Sequence, residues 1–182
     1  MAINLAKLDK RRTYIVLEYG TSAISKLIQK FTEEFGPGNR RVPSHVLALV
    51  YEDNCWRVYE SHMKSELEGE IPSGVRTYTI DKLKQVFPQT YYKGVVYQVR
   101  LNKRKLKDYL GQPYGVGDIA ALMRASILDS NGKQKDRRGI ICSEYLAKCC
   151  KKIQQYFNLK PHCITPAHWL TYLVKNNIKP IS

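Results

Sequence analysis

Pro43-Ser44-His45-Val46-Leu47-Ala48-Leu49-Val50-Tyr51-Glu52-Asp53-Asn54-Cys55-Trp56-Arg57-Val58-Tyr59-Glu60-Ser61-His62 reads as a β-hairpin. His45, Leu47, Leu49 and Tyr51 alternate along a half-buried strand, and Trp56, Val58 and Glu60 continue as a second one. Glu52-Asp53-Asn54 supplies the turn. A loop of roughly four residues pairs positions whose numbers sum to about 105 or 107. His45 then lies opposite Glu60 in one register and opposite His62 in the other. Strand side chains alternate with period two, so Glu60 and His62 share a face and either can orient the His45 imidazole.

Working outward, Thr13 to Leu17 is a short apolar strand. Gly20-Thr21-Ser22 offers a turn and a helix cap before Ile24, Leu27, Ile28 and Phe31 repeat with helical spacing. Val75 to Ile80 reads as a strand, with Asp81 capping a brief helix, and Val95, Tyr97, Val99 and Leu101 alternate as another strand. Asn102 suits the cap of a basic amphipathic helix ending at Gly111. Gly111-Gln112-Pro113-Tyr114-Gly115 is a turn, Asp118 precedes a helical stretch over Ile119 to Leu128, and Asp129 to Gly139 is a polar, basic loop. Thr165 fits an N-cap with Pro166 at the first helical position. There is no internal repeat and no long linker, and 182 residues suffice for one core. The pattern predicts a single α+β domain spanning residues 1–182.

Ile140-Ile141-Cys142-Ser143-Glu144-Tyr145-Leu146 passes from an apolar run into helical spacing, with Leu146, Cys149, Ile153 and Phe157 on one stripe with Cys142. A thiolate at a helix's first turn is favoured by the positive end of the macrodipole and by unbonded backbone N–H groups. The same N–H groups can hold the oxyanion of an acyl-transfer intermediate. A cysteine hydrolase also needs an imidazole within hydrogen-bond reach and a group that fixes its tautomer. Cys142, His45, and Glu60 or His62 supply these three types. Position on an apolar stripe equally suits a small core residue, and from spacing alone the two readings of Cys142 stand level. Cys149 and Cys150 lie deeper in the same helix and read as core. Cys55 falls in the hairpin turn and Cys163 in a loop. His162 and His168 are rival bases nearer to Cys142 in sequence, His168 being expected on a surface or beside Trp169.

Composition narrows the classes further. Thirty basic against sixteen acidic residues give a net charge of +14, which suits an acidic wall polymer, an anionic membrane surface or a nucleic acid. The basic residues are dispersed, and no nucleic-acid motif accompanies them. Five cysteines without a signal-peptide pattern argue for reduced thiols and a cytoplasmic protein. No apolar run approaches transmembrane length. No metal-ligand spacing, phosphate loop, dinucleotide fingerprint or Gly-x-Ser-x-Gly elbow occurs, so no metal and no organic cofactor are expected.

A family resemblance gathers these pieces. Gly20-Thr21-Ser22-Ala23-Ile24-Ser25-Lys26-Leu27-Ile28, Phe31-Thr32 and Pro43-Ser44-His45-Val46 resemble the opening of circularly permuted papain-like cysteine peptidases of the NlpC/P60 superfamily, in its YiiX-like branch. Val58-Tyr59-Glu60, the turn Leu110 to Gly115, Ile141 to Leu146 and Thr165 to Leu170 are similar to later segments of that branch, in its order. The chain departs from it in two places. Tyr114 is followed by Gly115 rather than Asp, with Asp118 displaced, and Ile140-Ile141 stand where a Tyr often precedes the Cys. The resemblance implies an antiparallel sheet packed against helices, with Cys142 as nucleophile, His45 as base and Glu60 (alternatively His62) as orienter. Cys142, Ser143 and Tyr114 become the substrate or oxyanion contacts. The activity so implied is cleavage of an amide or isopeptide bond, as in a cell-wall peptide, through a thioester. A thiol acyltransferase or lipid-acyl hydrolase with the same triad, and a non-catalytic nucleic-acid-binding protein, are the competing classes.

Overall fold

The computed structural model describes residues 2–63, 70–115 and 139–181. Among these, six strands form one sheet: β1 (Thr13–Glu18), β2 (His45–Glu52), β3 (Cys55–His62), β4 (Gly74–Thr79), β5 (Val95–Gln98) and β6 (Pro180–Ile181). Their order is β4-β3-β2-β1-β5-β6, and every pairing is antiparallel. The helices are α1 (Ala23–Thr32), α2 (Ile80–Val86), α3 (Pro88–Lys93), α4 (Lys103–Asp108), α5 (Cys142–Cys149), α6 (Lys151–Phe157) and α7 (Pro166–Lys175). The chain is α+β. The expected helix over Ile119 to Leu128, Asp118, and most of the loop from Asp129 to Gly139 lie outside the described residues.

The hairpin turn is tighter than the four-residue loop expected. Asp53 and Asn54 both adopt left-handed backbone (φ 49° and 60°), the pair of positive φ values a two-residue type I′ turn requires. Their short polar side chains tolerate that conformation better than most. The turn pairs Glu52 with Cys55 and Ala48 with Tyr59, a register sum of 107. Continued to the strand ends, it puts His45 opposite His62.

Both faces of the sheet are covered, which explains why the central strands are apolar at nearly every position. Ile15, Leu17, Val46, Ala48 and Val50 face α5 and α7, packing with Tyr145, Leu146, Trp169 and Leu173. Tyr14, Val16, Leu47, Leu49 and Val58 face the other way, against Ile80 and Leu83 of α2. Each large apolar side chain buried this fully contributes roughly 1.5–3 kcal/mol relative to exposure.

Local signals place most helix starts. Ser22 caps α1 by accepting from Ser25 N, and Asn102 caps α4 by accepting from Lys105 N. The cap of α2 is Thr79, which accepts from Lys82 N; Asp81, expected in that role, sits in the first turn. Pro88 then opens α3, and its fixed φ suits that position. The stripe from Cys142 to Phe157 is two helices rather than one. Cys150 is extended (φ −130°, ψ 93°), because donors from outside the helix take the carbonyls a continuous helix needs. Asn102 N bonds Cys149 O at 2.9 Å, and Gln154 Nε2 bonds Ala147 O at 2.6 Å.

The Thr165–Pro166 start of α7 forms a capping box. Thr165 Oγ1 accepts from His168 N, and the His168 side chain returns to the Thr165 backbone. The expected result for Thr165→Ala is a loss of about 1–2 kcal/mol in a urea-denaturation series, since a buried cap and its histidine lose their partner together. No change in midpoint would show that the box contributes nothing.

Candidate active site

His45 opens β2 and its side chain is only 13% exposed. The face it shares with Leu47 and Leu49 also carries Glu60 and His62 from β3 and Arg76 and Tyr78 from β4, by strand parity. Although the register sets His62 across from His45, the hydrogen bond goes to Glu60. Its Oε2 lies 2.8 Å from His45 Nε2, across the diagonal that long side chains span on a sheet face. His62 packs edge-on against the His45 ring, with centroids 5.3 Å apart, and also against Phe87.

Glu60 is itself clamped. Its Oε1 accepts from Arg76 Nε (2.9 Å), Arg76 Nη2 (2.7 Å) and the Tyr78 hydroxyl (2.7 Å). Both members of the Glu60–Arg76 pair have side chains 2% exposed. Burial alone raises a carboxylic acid's pKa. Here the His45 hydrogen bond, then the charges of His45, His62 and Arg76, overcome it and hold Glu60 far below the usual carboxylate range. Tyr78 is shifted the other way by burial and by the Glu60 charge, so it stays a hydroxyl and donates.

Cys142 is the first residue of α5, preceded by Ile141 in extended conformation with no side-chain cap on the helix. It comes from the layer covering the opposite face of the sheet, and it meets His45 at the sheet's end. The Cys142 sulfur lies close enough to act on the charge of the His45 imidazole. Glu60 occupies Nε2, which leaves Nδ1 to serve the sulfur. Burial by itself lowers the His45 pKa, but the Cys142 sulfur, and after it Glu60, more than reverse this and raise it well above the ordinary imidazole value. The arrangement favours the imidazolium form of His45.

The remaining sequence candidates separate clearly. The Ser143 hydroxyl is fully buried with no hydrogen-bond partner among the described residues, and its carbonyl accepts from the Trp169 indole. Tyr114 lines a cleft of about 600 Å³ between the start of α1 and the α2–α3 junction, a cleft also lined by His45, His62, Phe87 and Thr90. Cys142, 5% exposed, is not among the lining residues, so His45 is the member of the pair that faces the cleft. His168 is buried rather than on the surface. It caps α7 from between Phe35 and Phe157, and burial lowers its pKa to about 4. His162 sits in the short turn Pro161–Cys163. Burial pushes the Cys149 thiol up to about 12 and raises Cys150 as well, which makes both poor nucleophiles. Cys55 is the first residue of β3 rather than part of the turn, and Cys163 is exposed.

Arg76 and Tyr78 were not foreseen from the sequence. The signal was present: β4 reads Gly74-Val75-Arg76-Thr77-Tyr78-Thr79, and a strand covered on both faces seats an arginine in its interior only beside a counter-charge. Among the described residues, no group of three or more His, Cys, Asp or Glu is arranged to hold a metal ion. No protein-family model matches the chain, and a search of curated proteins returns no match.

Proposed function

We propose that the chain is a cysteine hydrolase of the permuted papain-like type, acting on an amide, isopeptide or ester carbonyl through Cys142, His45 and Glu60. The observation that carries this reading is the His45 imidazole bonded to Glu60 Oε2 and raised in pKa by the Cys142 sulfur, which stands at the first turn of a helix. A histidine fixed on one nitrogen by a carboxylate and facing a thiol with the other has the geometry of nucleophile activation.

The Cys142 thiolate attacks the carbonyl carbon. The developing oxyanion is stabilised by the backbone N–H of Cys142, aided by the positive end of α5. The His45 imidazolium then gives its proton to the departing amine or alcohol, leaving a thioester on Cys142. Neutral His45 next takes a proton from water as that water attacks the thioester. Carboxylate is released, the thiol is regenerated, and no redox step is involved. Glu60, locked by Arg76 and Tyr78, keeps the ring in the tautomer that presents Nδ1 to the sulfur.

Competition among the thiols for limiting iodoacetamide near pH 6 tests the reading. Cys142 is expected to be alkylated faster than the exposed Cys163, and His45→Ala to abolish that preference, because unassisted thiols are almost wholly protonated at this pH. A Cys142 that reacts no faster than Cys149 or Cys163 would sink the mechanism.

A further inference from the structure

Helix α1 leaves part of its apolar side in solvent. At about 100° per residue, Ser25, Gln29 and Thr32 share one side, Ile24, Leu27 and Phe31 the next, and Lys26 and Lys30 the one after. The polar side is turned inward together with part of the apolar side, where Ile28 and Phe31 are half-buried. Thr32 is its only buried residue. Gln29 Nε2 bonds Gly20 O, and the Ser25 side chain is engaged with Ser22. Ile24 and Leu27 are left 43% and 39% exposed, with Lys26 and Lys30 exposed beside them.

The helix forms one wall of the cleft that reaches His45. The opposite wall, α3, repeats the composition, with Tyr92 47% exposed and Lys93 exposed next to it. Arg40 and Arg41 are exposed near the start of α1, and Arg41 Nη2 bonds Tyr19 O and Gly20 O there. Among the described residues, the exposed acidic residues of α1 and its immediate continuation are Glu33 and Glu34, at its far end. Glu18 within the cleft accepts from Thr90.

Exposed aliphatic and tyrosine side chains interleaved with lysines match the chemistry of an interfacial surface. The apolar groups enter the acyl boundary, and the cations meet anionic headgroups. We infer that the surface flanking the cleft, with Ile24 and Lys93 in the cleft lining, Leu27, Lys26 and Lys30 exposed elsewhere on α1 and Tyr92 exposed on α3, docks onto an anionic lipid bilayer. The docking itself is independent of the proposed hydrolase. Its consequence, that His45 faces material presented at the bilayer, rests on that reading.

Co-sedimentation of the full chain with vesicles tests it. Wild type is expected to bind vesicles containing about a third phosphatidylglycerol and to bind pure phosphatidylcholine at least about tenfold more weakly, with binding falling as salt rises. Ile24→Asp/Leu27→Asp is expected to weaken binding at least about tenfold, and Lys26→Glu/Lys30→Glu to remove the preference for anionic lipid. All four positions are exposed, and circular dichroism with the iodoacetamide rate of Cys142 reports whether the variants stay folded. Failure of Cys142 labelling with intact vesicle binding would count against the hydrolase alone. Absence of vesicle binding, or binding unchanged in Ile24→Asp/Leu27→Asp, overturns the inference. So does a concentration-dependent dimer that Ile24→Asp/Leu27→Asp dissociates without any vesicle binding, which would assign the face to a second copy.

Discussion

Cys142→Ala is expected to abolish turnover of activated esters and amides and, in the same protein, to lower the pKa of His45. The first effect follows from removing the only group proposed to form the acyl intermediate. Losses for such nucleophiles reach about 10⁶-fold in kcat. Wild type is also expected to release a burst of leaving group equal to the enzyme concentration if thioester hydrolysis is the slow step, and the variant to release none. The second effect comes from the surroundings of His45. Burial opposes its charge, and the Cys142 sulfur is foremost among the groups that outweigh burial, ahead of Glu60. Below its raised pKa the ring is an imidazolium paired with the sulfur, and above it that pairing is lost. Without the sulfur, the titration observed by NMR moves to lower pH, held up by Glu60 alone. An unchanged His45 titration in Cys142→Ala would mean that the two groups are not coupled, whatever the activity data show.

Glu60→Gln is expected to cost about 3–5 kcal/mol of stability, because it strands the Arg76 guanidinium in a site 2% exposed. The loss of charge is the main source, since Gln keeps the shape and an acceptor oxygen. Glu60→Gln/Arg76→Met removes the stranded cation and is expected to recover most of the loss while leaving turnover impaired, because His45 still lacks its carboxylate. That recovery separates the structural work of the pair from its positioning work. The pH dependence has a definite sign. Glu60 has a depressed pKa in the folded state, so its contribution is fully present above the unfolded carboxyl value of about 4.3. It is lost as pH falls through the much lower folded value. The stability gap between wild type and Glu60→Gln is therefore expected to be constant from about pH 7 to 5 and to shrink progressively below about pH 4. A gap that does not change in acid would show that Glu60 is not ionised in the folded protein.

The sheet was largely legible in the residues. β2, β3 and β5 follow from runs with period two and β1 from a short apolar run, and Ser22, Asn102 and Thr165 mark helix starts because a side-chain oxygen that can accept from the first turn is a local property. What was misread involves bonding partners from elsewhere in the fold. Cys150 interrupts a stripe that is helical by periodicity, since Asn102 and Gln154 claim the carbonyls around it. Thr79, rather than Asp81, caps α2 because the strand ends one residue sooner than expected. The short β6, which pairs with β5, carries too few residues for any period to register.

For the candidate site the division is sharper. Hairpin arithmetic alone narrowed the partner of His45 to Glu60 or His62, because alternation on a strand is set by covalent geometry. Choosing between them needed the positive-φ turn at Asp53–Asn54 and the packing of β4, which fix the register and anchor Glu60 through Arg76 and Tyr78. Cys142 was marked by its place at a helix start, yet an apolar stripe fits a core thiol equally well. Its meeting with His45 depends on how α5 lies across one face of the sheet while His45 projects from the other at the strand's end. Local propensity is written in neighbouring residues, whereas the distance between groups far apart in sequence is set by packing and topology. The sequence by itself thus determined the elements and the short list of reactive groups, and only the tertiary structure decided which of those groups touch.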